Sequence, residues 1–180
     1  MYNNYPMVQR INGLKELVLI TGGYHVWSAY KHQTSKVKRN DFLEMGLHDL
    51  ITITLFAGGH VMGDYCSGLV VIFITDFTDV WVHFAKATCD THWKKACDFF
   101  GFMMWFWWAY CRIFCFPVCI YFMLLKDPFD IPNMKGSYEG YLYFFKGSLC
   151  SFLAIMNVWW FILISKMVFN AIFKGKQEDT

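Results

Sequence analysis

Asp76, Asp79 and His83 stand three and four residues apart inside an apolar run, a spacing that places all three on one face of a helix. Two carboxylates one turn apart resist ionising together, so the pair suits a cation, an amine or a proton. The preceding apolar run carries His48, Asp49 and His60. An imidazole held by a carboxylate is the arrangement of a general base or an acyl-accepting nucleophile, because the carboxylate fixes the tautomer and supports the imidazolium. His48 and Asp79 lie 16 and 15 residues from Asp64. If the two runs fold back there as helices rising about 1.5 Å per residue, the imidazole and the acid stripe reach nearly the same depth.

Three more polar groups interrupt later apolar runs: Arg112, Asn157 and Lys166. Each is a functional candidate, since an ionisable side chain at bilayer depth costs several kcal/mol unless it pairs or meets water. The competing readings are plainer. Paired His and Asp serve equally as hydrogen bonds between membrane helices. Two intramembrane carboxylates also fit a proton- or cation-coupled carrier, although no paired interrupted helices in two halves accompany them. A metal site built from His48, His60, Asp76, Asp79 and His83 is disfavoured, because no HxxxH pair is present and His60 falls about 18 Å along its helix from His48.

The elements that must position these groups follow from composition. The 180 residues are 56% hydrophobic, 21% aromatic and only 17% charged, which excludes a water-soluble globule. The pattern predicts an all-α, polytopic membrane helical bundle of about five transmembrane helices: Leu14 to Tyr30, Leu43 to Gly63, Ser67 to Ala85, Phe99 to Leu125 and Leu142 to Phe173. Pro117 predicts a kink in the fourth, and Gly59 with Gly63 a close helix approach. Trp105, Trp107 and Trp108 read as interface or lipid-facing anchors. The seven cysteines, an odd number with no CxxC, exclude a disulfide framework, and Cys111, Cys115 and Cys119 share a helix face as packing residues.

Net charge is +2, too mild for nucleic acid. The basic residues instead mark topology. Lys31, Lys36, Lys38 and Arg39, then Lys94 and Lys95, then Lys174 and Lys176 fall on one side if the five spans alternate. The other side holds the short turn near Asp64 and a loop, Lys126 to Gly140, whose lysines are balanced by acids. The C-terminus is therefore expected in the cytoplasm and the N-terminus outside the cytosol or in a lumen. The start shows no removable signal peptide pattern. No repeat or linker divides the chain, so residues 1–180 read as one membrane domain, with a core of about 5–173 and a short tail at 174–180.

His48, Thr52, Gly68, Asp76, Asp79 and Lys86, in the frame HDLIT…SGLVVIFITDFTDVWVHFAK, resemble without a gap the signature of the ceramide synthases within the TLC (TRAM, Lag, CLN) domain superfamily. Upstream, Tyr5, Pro6, Lys15 and VWSAY at 26–30 are similar to the family's preceding span. Downstream, Arg112 with Pro117, and Asn157 with WWFILISKM, are similar to its last two spans. Three positions depart from the pattern. Asp49 stands where the family has the second His of a pair, Thr75 where His is common, and Cys66 where a basic residue is usual. Family members also carry further N-terminal spans.

The resemblance implies N-acylation of a sphingoid base by a fatty acyl-CoA in the endoplasmic reticulum membrane. It implies catalytic roles for His48, Asp76 and Asp79: His48 takes the acyl group or the amine proton, and the two acids orient it and hold the cationic amine. Substrate contacts then fall to Asp49, His83, Arg112 and Asn157. No bound cofactor or metal is expected, with fatty acyl-CoA as cosubstrate. The partners are membrane lipids, the sphingoid base and a second copy or related chain in a dimer, with no nucleic acid. The alternative within the family is a non-catalytic protein that binds or senses lipid, or assists membrane-protein maturation.

Overall fold

A computed structural model describes residues 13–35, 42–89, 91, 93–122 and 138–174. The basic residues at 36–39, the prolines at 128 and 132, the residues at 5 and 6 and the C-terminal tail lie outside the described residues. Among the described residues there is no strand, and the five expected spans correspond to five helical stretches. These are α1 (Leu14–Thr34), α2 (Phe42–Met62), α3 (Tyr65–Cys89), then α4 (Lys94–Trp107) running through a π-helical segment (Trp108–Cys115) into α5 (Phe116–Cys119), and finally α6 (Tyr138–Lys174).

Three stretches are long and apolar enough to cross a membrane: Gly68–Cys89, Lys94–Phe122 and Gly140–Asn170. The first two helices, 21 residues each, carry more charge and histidine, including Lys15, Glu16, Lys31 and His32 on α1 and Glu44, His48, Asp49 and His60 on α2. Large apolar side chains such as Ile20, Leu43, Val61 and Phe73 face outward. That is the surface a lipid solvent accepts and water does not. The chain is an all-α, multi-pass membrane protein.

The described helices fall into two compact units, one of Met1–Val70 with Ile120–Leu153 and one of Val71–Cys119 with Ala154–Thr180. Both α3 and α6 contribute to each. In the first unit α1 and α2 form an antiparallel pair. Gly22 lies against Phe56, where a Cβ would come within 3.2 Å of the ring, and Gly46 lies against Gln33. At the far end of α2, Gly63 adopts φ 67, its N–H donates to the His60 carbonyl, and the Asp64 N–H donates to the Gly59 carbonyl. These two bonds make a Schellman stop, which needs the left-handed conformation that glycine adopts without steric cost. Gly63 thus serves the turn rather than the helix approach expected of the Gly59–Gly63 pair.

In the second unit, Pro117 has no N–H to give and its ring crowds the carbonyl four residues back. The helix accommodates this by widening: the Phe116 N–H donates to the Cys111 carbonyl, five residues earlier. The π-helical segment carries Arg112. The tryptophans expected as lipid-facing anchors pack inward instead. Trp108 is buried, Trp105 donates to Ser165 Oγ at 2.9 Å and stacks on Phe161, and Trp107 packs against Phe77 and Trp81. Indole N–H groups find partners when they are taken out of water, and α6 supplies one in Ser165.

Candidate functional site

Arg112 organises the polar centre of the second unit. Its side chain is only 3% exposed, so every donor it fails to pair would be costly. Four of the five guanidinium N–H groups point at acceptors. Nε donates to Thr78 Oγ1 at 2.6 Å, Nη1 to Asn157 Oδ1 at 3.3 Å, and Nη2 to both the Thr75 carbonyl at 3.0 Å and Asp79 Oδ1 at 2.5 Å. The guanidinium carbon lies 4.2 Å from the centroid of the Trp108 ring, a cation–π contact. Trp108 Nε1 in turn donates to the Asn157 carbonyl at 3.2 Å. Asp76 is close enough to interact electrostatically with the same cation. One cation serving two acids removes the mutual penalty that two isolated carboxylates would face.

Local sequence explains how α3 presents this face. Thr75 and Thr78 bond back to their own helix, Thr75 Oγ1 to the Val71 and Ile72 carbonyls and Thr78 Oγ1 to the Thr75 carbonyl. Their hydroxyls are thereby satisfied inside an apolar helix. Thr78 Oγ1, donating to one carbonyl, still accepts from Arg112. Asp79 stays 44% exposed despite its ion pair. His83 Nδ1 lies 2.6 Å from the Asp79 carbonyl. A carbonyl only accepts, so the His83 proton sits on Nδ1 and Nε2 is the basic nitrogen.

The first unit holds a second polar cluster. His32 of α1 brings Nδ1 to 3.3 Å from Asp49 Oδ2, and His48 Nδ1 lies 3.7 Å from Asp49 Oδ1. Both imidazoles are 22% exposed and Asp49 15%, and both Nδ1 atoms are closed to solvent. Elsewhere in this unit Lys146 Nζ donates to Asp64 Oδ2 at 2.6 Å, with both side chains under 10% exposed. Among the described residues no group of three or more His, Cys, Asp or Glu side chains is placed to hold a metal ion.

Of the residues singled out in the sequence, the second unit brings together Asp79, Arg112 and Asn157, with Asp76 in electrostatic reach and His83 bonded one turn along the helix. The first unit joins His48 to Asp49. Three participants were not anticipated. His32 lies next to Lys31 at the end of the first apolar run, and no spacing marks it. Thr78 lies between the two acids of α3 but has no ionisable group to draw notice. Lys146 carried the plainest signal, a charge a few residues inside the fifth apolar run.

A family model described as TLC domain matches residues 1–166. Among curated relatives, ceramide synthase 4 of Mus musculus is 28% identical over 143 residues, covering 79% of this chain and 35% of its own length. Ceramide synthase 3 of Mus musculus is 26% identical over 179 residues, 99% of this chain and 45% of its own. Alternaria stem canker resistance protein 1 of Solanum lycopersicum is 27% identical over 159 residues, 86% of this chain and 51% of its own. The chain thus spans about half the length of these relatives or less.

Proposed function

We propose that this chain, which belongs to the TLC-domain family and is a divergent ceramide-synthase-like member of it, joins the acyl group of a fatty acyl-CoA to the amino group of a sphingoid base. The observation that carries the reading is the state of Asp79. Arg112 holds it on one side at 2.5 Å while 44% of the side chain stays accessible, so an ionised carboxylate is kept within an apolar helix and remains open to a second cation. An amine is the substrate group such a site attracts.

The roles assigned to the catalytic residues in this reading are amine binding for Asp76 and Asp79 and proton transfer for His48. The bound ammonium first releases one proton to solvent; the neutral amine then attacks the thioester carbonyl, the C–N bond forms and the C–S bond breaks. The proton released from nitrogen passes to His48 and on to the departing thiolate. In a two-step version His48 takes the acyl group first and the amine then displaces it. Asp49, His83, Arg112 and Asn157 shape the substrate site. Acyl-CoA is consumed as cosubstrate with no bound cofactor. The setting is the endoplasmic reticulum membrane, with the C-terminus in the cytoplasm and a second copy or related chain as a dimer partner.

Purified protein incubated with labelled acyl-CoA and sphingoid base should form the labelled amide, and His48→Ala should abolish it without preventing membrane insertion. Full activity in that variant removes His48 from the chemistry. A second reading, a non-catalytic protein that binds lipid or assists membrane-protein maturation, draws on the bonding of Arg112, four of whose five N–H groups meet acceptors on α3 and α6 and so hold helices together. Lipid that copurifies without turnover, with His48→Ala harmless, selects it.

A further inference from the structure

Asp79 keeps 44% of its side chain accessible, and His83, four residues further along α3, is exposed. Residues four apart are neighbours on a helix surface, and a helical side chain leans over the turn before its own. The His83 ring does so. Its Nδ1 lies 2.6 Å from the Asp79 carbonyl, an oxygen that only accepts, so Nδ1 donates and Nε2 carries the lone pair. Among the described residues this bond is the one polar interaction that His83 makes. One ring nitrogen is thus pinned over the turn that bears the half-open carboxylate, and the other is left to meet whatever cation Asp79 holds. Asp79, His83 and Arg112 all belong to the second unit. His83 also stands six residues before the end of α3 at Cys89, less than two turns away, which gives the ring a short route to water.

An amine reaches Asp79 as an ammonium ion, the form a carboxylate attracts, yet only the neutral amine attacks a thioester. One proton must leave the nitrogen first, and an imidazole accepts it far more readily than a carboxylate does. We infer that His83 Nε2 takes this first proton from the ammonium held by Asp79 and passes it to water. The inference rests on the function proposed above and gives His83 a catalytic role in place of a general substrate contact. In the step, an N–H bond of the ammonium breaks and its electron pair stays on nitrogen, which becomes the nucleophile. A bond from Nε2 to the proton forms, and the imidazolium then returns to neutral by releasing that proton to water. His48 is left the second proton, freed as the C–N bond forms and delivered to the departing thiolate. Ammonium and thioester thereby give amide, thiol and one proton in solution.

Histidine-selective ¹⁵N labelling of the full chain in lipid nanodiscs reads both ring nitrogens, with the His83 signals identified by their loss in His83→Gln. A protonated Nδ1 and an unprotonated Nε2 are expected. A long-chain sphingoid base added without acyl-CoA should shift the Nε2 signal, whereas its N-acetyl derivative, which has no ammonium, should not. The opposite tautomer, or an Nε2 signal indifferent to the base, overturns the inference. In the amide assay His83→Gln should lower kcat roughly 10²-fold while KM moves less than about twofold, because Asp79 still binds the amine. A base fluorinated beside its amino carbon, whose amine is already largely neutral at neutral pH, has no first proton to lose. At saturation His83→Gln should convert it nearly as fast as the unmodified protein does, which also shows that the variant is folded. An unchanged kcat with the ordinary base, or an equal loss with both bases, overturns the inference. If the unmodified protein forms no amide, the proposed reaction fails, and the titration with base alone still decides whether His83 meets the amine.

Discussion

Among the described residues two buried cations meet carboxylates, and the two pairs differ in how much of the acid they leave accessible. Lys146 and Asp64 close on each other at 2.6 Å with side chains 9% and 5% exposed. Arg112 and Asp79 close at 2.5 Å, yet Asp79 keeps 44% of its surface. The difference arises from position. Asp64 follows the Schellman stop of α2 and is drawn in under the turn, whereas Asp79 lies on the flank of α3 with the cation reaching it from the π-helical segment. Lysine is a point charge that one acid largely neutralises, while the arginine fork spreads its donors over Thr75, Thr78, Asp79 and Asn157 and needs only one oxygen of the acid. A closed pair ties elements together; a half-open pair ties them and still offers charge to a ligand.

The largest expected effect breaks the closed pair. Lys146→Met removes the cation that closes on buried Asp64 and should cost about 3–5 kcal/mol of stability, the range for breaking one side of a buried ion pair. Replacing both partners, as Lys146→Met with Asp64→Leu, should recover most of that loss. Unfolding of the detergent- or nanodisc-held protein measures both. A double variant no more stable than the single one would mean that the pair supports something beyond itself.

Asp79→Asn should separate the two pairs most clearly. Asn keeps an oxygen for Arg112, and Asp76 remains to balance the cation, so stability should fall by only about 1 kcal/mol. Amide formation should nevertheless fall about 10²- to 10³-fold, roughly 3–4 kcal/mol of lost transition-state stabilisation. Asp64→Asn is the control, expected to destabilise with little direct effect on turnover per folded molecule. If the two Asn variants lose stability alike and activity alike, the distinction between closed and half-open fails.

Gly63→Ala should come next. The residue holds φ 67, where a Cβ costs about 1–2 kcal/mol, and the loss should appear in stability while the Arg112 centre keeps its activity.

These pairings also mark the limit of what the sequence discloses. Helix existence was legible from apolar run length, and the ends came close: Leu43 to Gly63 against Phe42–Met62, and Leu142 to Phe173 against Tyr138–Lys174. The acid stripe of α3 was legible because helical period alone puts Asp76, Asp79 and His83 on one face. Period does not say which neighbour that face meets. Arg112 lies 33 residues from Asp79 and Lys146 lies 82 from Asp64, and nothing local encodes either meeting. The π-helical segment escaped for a related reason. Pro117 announces a disturbance, but widening and kinking relieve it equally well, and nothing in the local sequence decides between them.

The smallest effect probes how much of the Arg112 fork is surplus. Thr78→Val keeps the shape of α3 but removes the acceptor that Nε reaches at 2.6 Å. Three contacts remain on Nη1 and Nη2, including the ion pair with Asp79, so the charge stays paired while the Nε bond and the Thr78 bond back to the Thr75 carbonyl are lost. Bonds of that kind between membrane helices contribute about 0.6 kcal/mol on average and at most about 1.7. The variant should therefore fall within that range in an unfolding titration, with turnover close to the unmodified protein. A loss of several kcal/mol would show that Nε is the bond on which the fork depends and that Asp79, with Nη2 alone, does not hold the cation. The half-open pair would then owe its geometry to a threonine hydroxyl rather than to charge.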